Sequence, residues 1–197
     1  VRYSLCRARE AYVSRKSNVF TDDVALNAMR SIYQNIRTAC NQPDNRDARE
    51  AMMLAATQGG IAFANASVTL IHGMSRPIGA LFHVPHGMSN AMLLPEITAW
   101  SVSHAQARYA HCARFMGVAR QSDSDELACG KLVEALRVLC ADLSVPTPGE
   151  FGIAEQDWLG SMELMAQPAL DSGSPANNPR IPHADEIVEL YRRVWAG

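Results

Sequence analysis

The sequence predicts an all-α fold, and three observations support this prediction. Apolar residues recur at the three- and four-residue spacing of an α-helix in most of the chain. No stretch of useful length alternates between apolar and polar residues, as a half-buried strand would. The glycine pattern G-x-G-x-x-G of a dinucleotide-binding unit is also absent. We therefore expect a multi-helix bundle that forms a single domain over residues 1–197, without a nucleotide-binding domain.

Two helices are predicted in the first third of the chain. The first spans 21–41, begins at the capping side chain of Thr21 and carries an apolar stripe. The second spans 47–74, and its many Ala, Gly and Ser residues predict a buried helix that packs closely against its neighbours. Each glycine of the pair Gly59-Gly60 costs a helix about 1 kcal/mol relative to alanine. The pair is therefore expected to mark a tight packing point or a kink.

Residues 71–95, IHGMSRPIGALFHVPHGMSNAMLLP, combine apolar side chains with Pro and Gly turns and three histidines. His72 ends one predicted helix and His86 begins the next, so the two imidazoles can converge on one divalent ion such as Zn or Fe. The residues alone leave another interpretation open, in which both histidines are helix caps or satisfied polar groups. His83 is a candidate pocket residue on the same argument, and its alternative is a loop side chain in water.

Further helices are predicted after the histidines. Their bounds are 89–100, 103–117, 124–145, 157–165 and 184–195. Ser89 and Ser103 are expected to cap the first two of these helices, and either Asp123 or Ser124 opens the third. Pro95 lacks a backbone N–H, so it is expected to bend or restart the helix that contains it.

Composition narrows the possible functions. The chain carries 18 basic and 20 acidic side chains without a basic block, so a nucleic-acid partner is not expected. No uninterrupted apolar run reaches the roughly 18 residues of a membrane span. With no signal-peptide layout either, we expect a cytoplasmic protein without a membrane partner. The five cysteines are scattered and form no C-x-x-C pair, which is typical of buried or free thiols in a reducing compartment.

The stretch IHGMSRPIGALFHVPHGMSNAMLLP resembles the signature of the iron-containing (group III) alcohol dehydrogenases. The resemblance extends upstream through EAYVSRKSNVFTDDVALNAMRSI and downstream through NNPRIPHADEIVELYRRVWAG, in which Asn178-Pro179-Arg180 matches a family element. Nearly the whole chain is covered. The resemblance implies the all-helical C-terminal domain that holds the catalytic metal, and in that family an N-terminal domain binds NAD(P).

The family's metal is held by one Asp and three His, and the resemblance carries over to half of that set. His72 and His86 match the third and fourth ligands. The first two lie in the pattern D-A-L-T-H-x-I-E-A-Y-V-S, where this chain reads YSLCRAREAYVS, with Tyr3 in place of the Asp and Arg7 in place of the His. Because a guanidinium only donates hydrogen bonds, it cannot ligate a cation. Fe2+ or Zn2+ is therefore expected to bind weakly or not at all.

Arg76 follows His72 by four residues, where many family members carry a second active-site His. Its guanidinium offers a bidentate grip for a carboxylate or hydroxyl oxygen, and a structural salt bridge is the alternative. By resemblance, Arg76 and His83 are the candidate catalytic residues. No residue of this chain is expected to bind NAD(P).

Two functional hypotheses follow from the resemblance. In the first, the chain is an alcohol dehydrogenase component, truncated or split, and the metal polarises an alcohol or aldehyde for hydride exchange with NAD(P) held by a partner domain. In the second, the chain is a non-catalytic helical module that keeps the fold and a homo-oligomer surface. With two of four ligands replaced, the chain by itself is expected to have little or no dehydrogenase turnover.

Overall fold

The computed structural model describes residues 3–196, except for the side chain of Tyr3. This part of the chain forms nine α-helices and two 3-10 helices and contains no strand, which confirms the all-α prediction. The α-helices are α1 (Tyr3–Val13), α2 (Val19–Asn41), α3 (Arg46–Ala66), α4 (Leu70–Phe82), α5 (His86–Ser101), α6 (Gln106–Met116), α7 (Asp125–Asp142), α8 (Glu155–Asp171) and α9 (Ala184–Ala196). The 3-10 helices are Val102–His104 and Pro175–Asn177.

Helix α1 packs against α2 and α3, which also pack against each other. Helices α1 and α3 are in contact at Gly59, where an added Cβ would sit 3.4 Å from the carbonyl oxygen of Ser4 and 3.7 Å from the Cβ of Ala8. A Cβ on Gly60 would meet nothing within 4 Å. The glycine pair therefore marks a tight packing point through its first member alone.

The single long helix expected over 47–74 is wrong, because the chain breaks between α3 and α4 and bends by 103°. Ser67 adopts a left-handed backbone with φ 66°, and Asn177 donates hydrogen bonds to the Ser67 hydroxyl and the Val68 carbonyl, both at 3.1 Å. This break depends on a side chain more than a hundred positions away, so the local sequence does not reveal it. Among the described helices, none taken singly is long and apolar enough to cross a membrane, whereas α3 and α4 together reach that length and composition.

Three predicted helix starts are also corrected, one of them at α6, which follows Ala105 rather than the expected cap Ser103. Asn18, rather than Thr21, is the N-cap of α2, and the two residues form a reciprocal capping box. Helix α5 begins at His86, directly after Pro85, so Ser89 lies within the first turns and donates to the His86 carbonyl at 3.0 Å. Proline at the entry to a helix presets the backbone and lacks only an N–H that would have no helical partner.

Prolines and charged residues interrupt the apolar pattern of other helices, so the sequence did not predict the full extent of these helices. Pro77, Pro95 and Pro168 all lie inside helices, so α5 continues through Pro95, and the break before His86 falls at residues 83–85. Helix α8 accordingly extends on both sides of the expected 157–165. Helix α1 was not predicted, because Arg7, Arg9 and Glu10 interrupt its apolar residues, although Arg9 and Glu10 are themselves buried.

Helix α4 is held between α8 and α9 by aromatic residues. The fully buried Trp158 of α8 donates its ring N–H to the carbonyl of Tyr191 at 3.0 Å and stacks on Phe82 with ring centres 5.7 Å apart. The Tyr191 hydroxyl of α9 donates to the Met74 carbonyl at 2.8 Å. These contacts fix the position of the helix that carries His72.

Candidate metal centre

Helices α4 and α5 bring His72 and His86 together. Their ring centres lie 5.3 Å apart with the planes at 71°, which is an edge-to-face arrangement. His72 is buried, and His86 is exposed on the outer side of the pair. Ser75 links the two, because its hydroxyl donates to the His72 carbonyl at 3.1 Å and lies 3.3 Å from Nδ1 of His86. The expectation that the two rings meet is confirmed, and their role as metal ligands stays a prediction.

The carboxylate of Glu10 on α1 is fully buried against the start of α4. Its Oε1 accepts hydrogen bonds from the backbone N–H and the hydroxyl of Thr69, at 3.0 and 2.8 Å, and from the backbone N–H of His72 at 3.3 Å. Thr69 is the N-cap residue of α4, yet its own side chain makes no capping hydrogen bond. Glu10 therefore caps α4 from another helix and places a negative charge at its N-terminus.

The second oxygen of Glu10 faces the His72 ring. Oε2 lies within hydrogen-bonding distance of Nδ1, so the carboxylate accepts a hydrogen bond from Nδ1–H and fixes the orientation of the ring. Burial would raise the pKa of Glu10, but the charge and hydrogen bond of His72 outweigh it and hold that pKa below its ordinary value. An ionised carboxylate behind an imidazole is the arrangement that orients a histidine ligand toward a metal.

Glu10 was not among the predicted site residues. A signal was present, since Glu10 is an acid four residues after Cys6 and three before Val13, which a helix places on one apolar face. A buried carboxylate needs hydrogen-bond partners, and such a residue is a candidate for a structural or functional role.

Cys6 lies beside the same carboxylate. Its Sγ is 3.6 Å from Oε2 of Glu10, and the donor atoms of Cys6, Glu10 and His72 all lie within 4.8 Å of one another. Burial, and then the charge of Glu10, raise the pKa of the Cys6 thiol well above its ordinary value. The thiol is therefore protonated and donates to the carboxylate, so this group forms a hydrogen-bonded network rather than a thiolate site.

Arg7 lies on α1 one turn before Glu10, and its guanidinium carbon is 4.7 Å from the centre of the Phe63 ring. The positive charge of Arg7 acts on His86. Partial burial, and then the charges of His72 and Arg7, lower the pKa of His86. Tyr3 begins α1, and its side chain lies outside the described residues.

The two candidate catalytic residues both lie at the surface. His83 ends α4 in a left-handed conformation with φ 54°, and the described contacts include no hydrogen bond from its ring. Arg76 is exposed one turn after His72, and its Nη1 lies 3.4 Å from the Ser172 carbonyl oxygen. Catalytic roles for both residues stay predictions.

The Fe-containing alcohol dehydrogenase family, C-terminal part, has a sequence profile that matches residues 4–195. The chain is 34% identical over 193 residues to 1,3-propanediol dehydrogenase of Citrobacter freundii, covering 98% of this chain and 49% of that protein. It is 33% identical over 193 residues to lactaldehyde reductase of Escherichia coli (strain K12), with the same coverage. The chain thus spans about half the length of these curated relatives.

Solved structures agree with these relatives. A crystal structure of 1,3-propanediol oxidoreductase superposes with a TM-score of 0.92 at 32% identity, over 97% of this chain and 49% of that chain. An iron-containing alcohol dehydrogenase from Thermococcus thioreducens gives a TM-score of 0.88 at 31% identity, over 98% of this chain and 49% of that chain. The profile match, the relatives and the shared fold together establish that the chain belongs to the iron-containing alcohol dehydrogenase family.

Proposed function

We propose that this chain is the metal-side domain of an oxidoreductase that interconverts alcohols and aldehydes, with NAD(P) supplied by a separate nucleotide-binding domain. The observation that carries the proposal is the pairing of His72 with His86 in front of the buried Glu10 carboxylate. Family membership and relatives named for 1,3-propanediol and lactaldehyde support this reaction class. A cytoplasmic location stays a prediction.

We further propose that the centre holds Fe2+ or Zn2+ weakly or not at all. The residues at the four family positions do not fit a four-donor cage, because Arg7 has no lone pair to offer and its positive charge repels a cation. A site with fewer donors and no carboxylate ligand loses much of its affinity for a divalent ion. The chain by itself is accordingly proposed to have little or no turnover.

A metal titration of the purified chain and of the double variant Tyr3→Asp/Arg7→His tests this proposal. The double variant restores the donor types of the family pattern, so we expect it to bind one Zn2+ per chain at least about 100-fold more tightly than the parent chain. His86→Ala in the double-variant background is the control and should abolish the gain. Equal and tight binding by the parent chain and the double variant would refute the loss of the metal.

A second assay addresses turnover. The parent chain is incubated with NAD+ or NADP+, propane-1,3-diol and added Fe2+ or Zn2+, and reduced nicotinamide is followed by absorbance. We expect no rate above the background without protein. Rates comparable to an intact dehydrogenase would contradict the proposal that a partner domain is needed.

A non-catalytic interaction module is the second candidate, and exposed apolar side chains favour it. Val19 and Phe20 at the start of α2, and Met53 and Leu54 on α3, are all well exposed. Exposed apolar surface of this kind is typical of contacts with another domain or another copy. Gel filtration combined with metal analysis separates the candidates: stable metal-free oligomers favour the module, and a monomer that binds one metal per chain favours the oxidoreductase domain.

A further inference from the structure

A cleft of about 480 Å3 lies beside the candidate metal centre. Its walls come from the end of α3, including Phe63, from Arg76 on α4, and from the loop 172–174 that follows α8. Phe63 also contacts the Arg7 guanidinium, which places the cleft next to the α1 side of the centre. A volume of this size suits a small molecule.

Two cations line this cleft, and no acid does among its described lining residues. Lys16 and Arg76 both reach it, together with hydroxyl and amide groups of Ser67, Ser172 and Asn177. Within the described part of the chain, no carboxylate oxygen lies within 4.0 Å of either cation.

Basic residues elsewhere, such as Arg37 and Arg180, form close ion pairs with carboxylates at 2.6 and 2.8 Å. Two positive charges that converge on a cleft without an internal counter-charge are suited to an anionic ligand.

The cleft is coupled to the centre through helix α4. His72 and Arg76 are four residues apart, so they lie on the same face of the helix, about 6 Å from each other along its surface. The Arg76 wall of the cleft is therefore one helical turn from His72.

We propose that this cleft binds the carboxylate of a short hydroxy acid or aldehyde acid, with Arg76 as the bidentate partner and Lys16 as the second charge. This inference rests on the proposed function, because it names the substrate class of that centre. A neutral diol would leave both cations without a counter-charge, whereas a hydroxy acid neutralises one of them and directs its hydroxyl to the centre. The relatives named for a diol and an aldehyde have neutral substrates in their names, so anion selection distinguishes this chain from them.

The test is a calorimetric titration of the full chain at low ionic strength with a chelator present, because added salt screens exposed charges. The probes are 3-hydroxypropanoate and propane-1,3-diol, which differ only in carboxylate against hydroxymethyl. We expect 3-hydroxypropanoate to bind at least about tenfold more tightly than the diol. Equal affinities would overturn the proposal.

Variants locate the binding site. Arg76→Gln should weaken the binding of 3-hydroxypropanoate at least about tenfold. Arg76→Lys should have an intermediate effect, because lysine keeps the positive charge but cannot form the bidentate hydrogen bonds of a guanidinium. Lys16→Gln should weaken the binding of 3-hydroxypropanoate by a smaller factor than Arg76→Gln does. Arg46→Gln removes the same charge at the other end of α3, about 30 Å away, and should change nothing. A loss as large in Arg46→Gln as in Arg76→Gln would show general charge screening and overturn the assignment.

A third probe separates two sources of an oxyanion. Inorganic pyrophosphate represents the phosphates of a dinucleotide, and we expect it to bind less tightly than 3-hydroxypropanoate. Tighter binding of pyrophosphate would overturn the carboxylate assignment. Circular dichroism confirms that each variant is folded. Because binding is measured without metal or NAD(P), failure of the proposed oxidoreductase activity and failure of anion binding are seen separately.

Discussion

The two halves of the candidate centre differ in what their residues do for the fold. The α4–α5 half contributes His72 and His86, whose side chains suit metal ligation. The α1 half contributes Arg7, for which we propose no ligand role, and Glu10, which caps α4 and orients His72. The comparison teaches that packing and ligation place separate demands on α1. Helix α1 is held in place by the buried Glu10 carboxylate and its small neighbours, whatever the role of residue 7.

The largest effect is expected from removing the carboxylate in the α1 half. Glu10→Ala leaves the first N–H groups of α4 and the His72 ring without their acceptor in a buried setting, and should lower the free energy of unfolding by about 3 kcal/mol or more. Urea unfolding measures this change. Glu50→Ala, at a side chain that is 72% exposed, is the matched control and should stay within about 0.5 kcal/mol of the parent. A loss no greater than the control's would show that Glu10 does not hold α4.

The next prediction compares two glycine substitutions, one on α4 beside His72 and one on α3. An added Cβ at Gly73, the neighbour of His72, would lie 2.6 Å from Cγ of Pro175, and the rigid ring cannot turn aside. Gly73→Ala should therefore lower the free energy of unfolding by about 1–3 kcal/mol. Gly60→Ala meets nothing within 4 Å and should raise it by up to about 1 kcal/mol, because alanine favours the helix. Thermal denaturation compares the two, and similar shifts in both would contradict the tight contact.

A smaller loss is expected at the contact that anchors α4 to α9. Tyr191→Phe removes the buried hydroxyl that donates to the Met74 carbonyl and should cost about 0.5–1.5 kcal/mol. Tyr33→Phe is the control, because no hydrogen bond of the Tyr33 hydroxyl is found among the described residues. Denaturant unfolding of both variants measures the difference. If Tyr191→Phe and Tyr33→Phe had equal free energies of unfolding, the Tyr191 hydroxyl would not anchor α4 to α9.

The sequence predicted what depends on local periodicity and missed what depends on distant partners. The helical class and the meeting of His72 with His86 follow from apolar spacing and from the motif. The break after α3 does not, because Asn177 stabilises it from the far end of the chain. The role of Glu10 was missed for the same reason, since its partners are sixty residues away in α4. Pairwise contacts of this kind become visible only when the helices are in place.

The smallest effect is expected where residues 180–186 lie against Trp100 near the end of α5. Glu186 accepts hydrogen bonds from the backbone N–H of His183 at 3.0 Å and from Arg180 at 2.8 Å, and Arg180 lies over the Trp100 ring. The His183 hydrogen bond and then Arg180 outweigh burial and lower the pKa of Glu186 from 4.5. Because the folded pKa is the lower one, the stabilisation is present above 4.5 and is lost as the pH falls through the lowered folded value.

Glu186→Gln should therefore reduce stability at neutral pH by only about 0.2–1 kcal/mol, since the pair is partly exposed. The gap between the variant and the parent should close as the pH falls from neutral through the lowered folded pKa of Glu186, because the parent carboxylate is then protonated as well. Unfolding by urea across this pH range measures the gap, with the exposed Glu163→Gln as the control. A difference in stability that stays constant with pH would mean that Glu186 acts through packing. The charge of Glu186 would then have no part in holding residues 180–186 against α5.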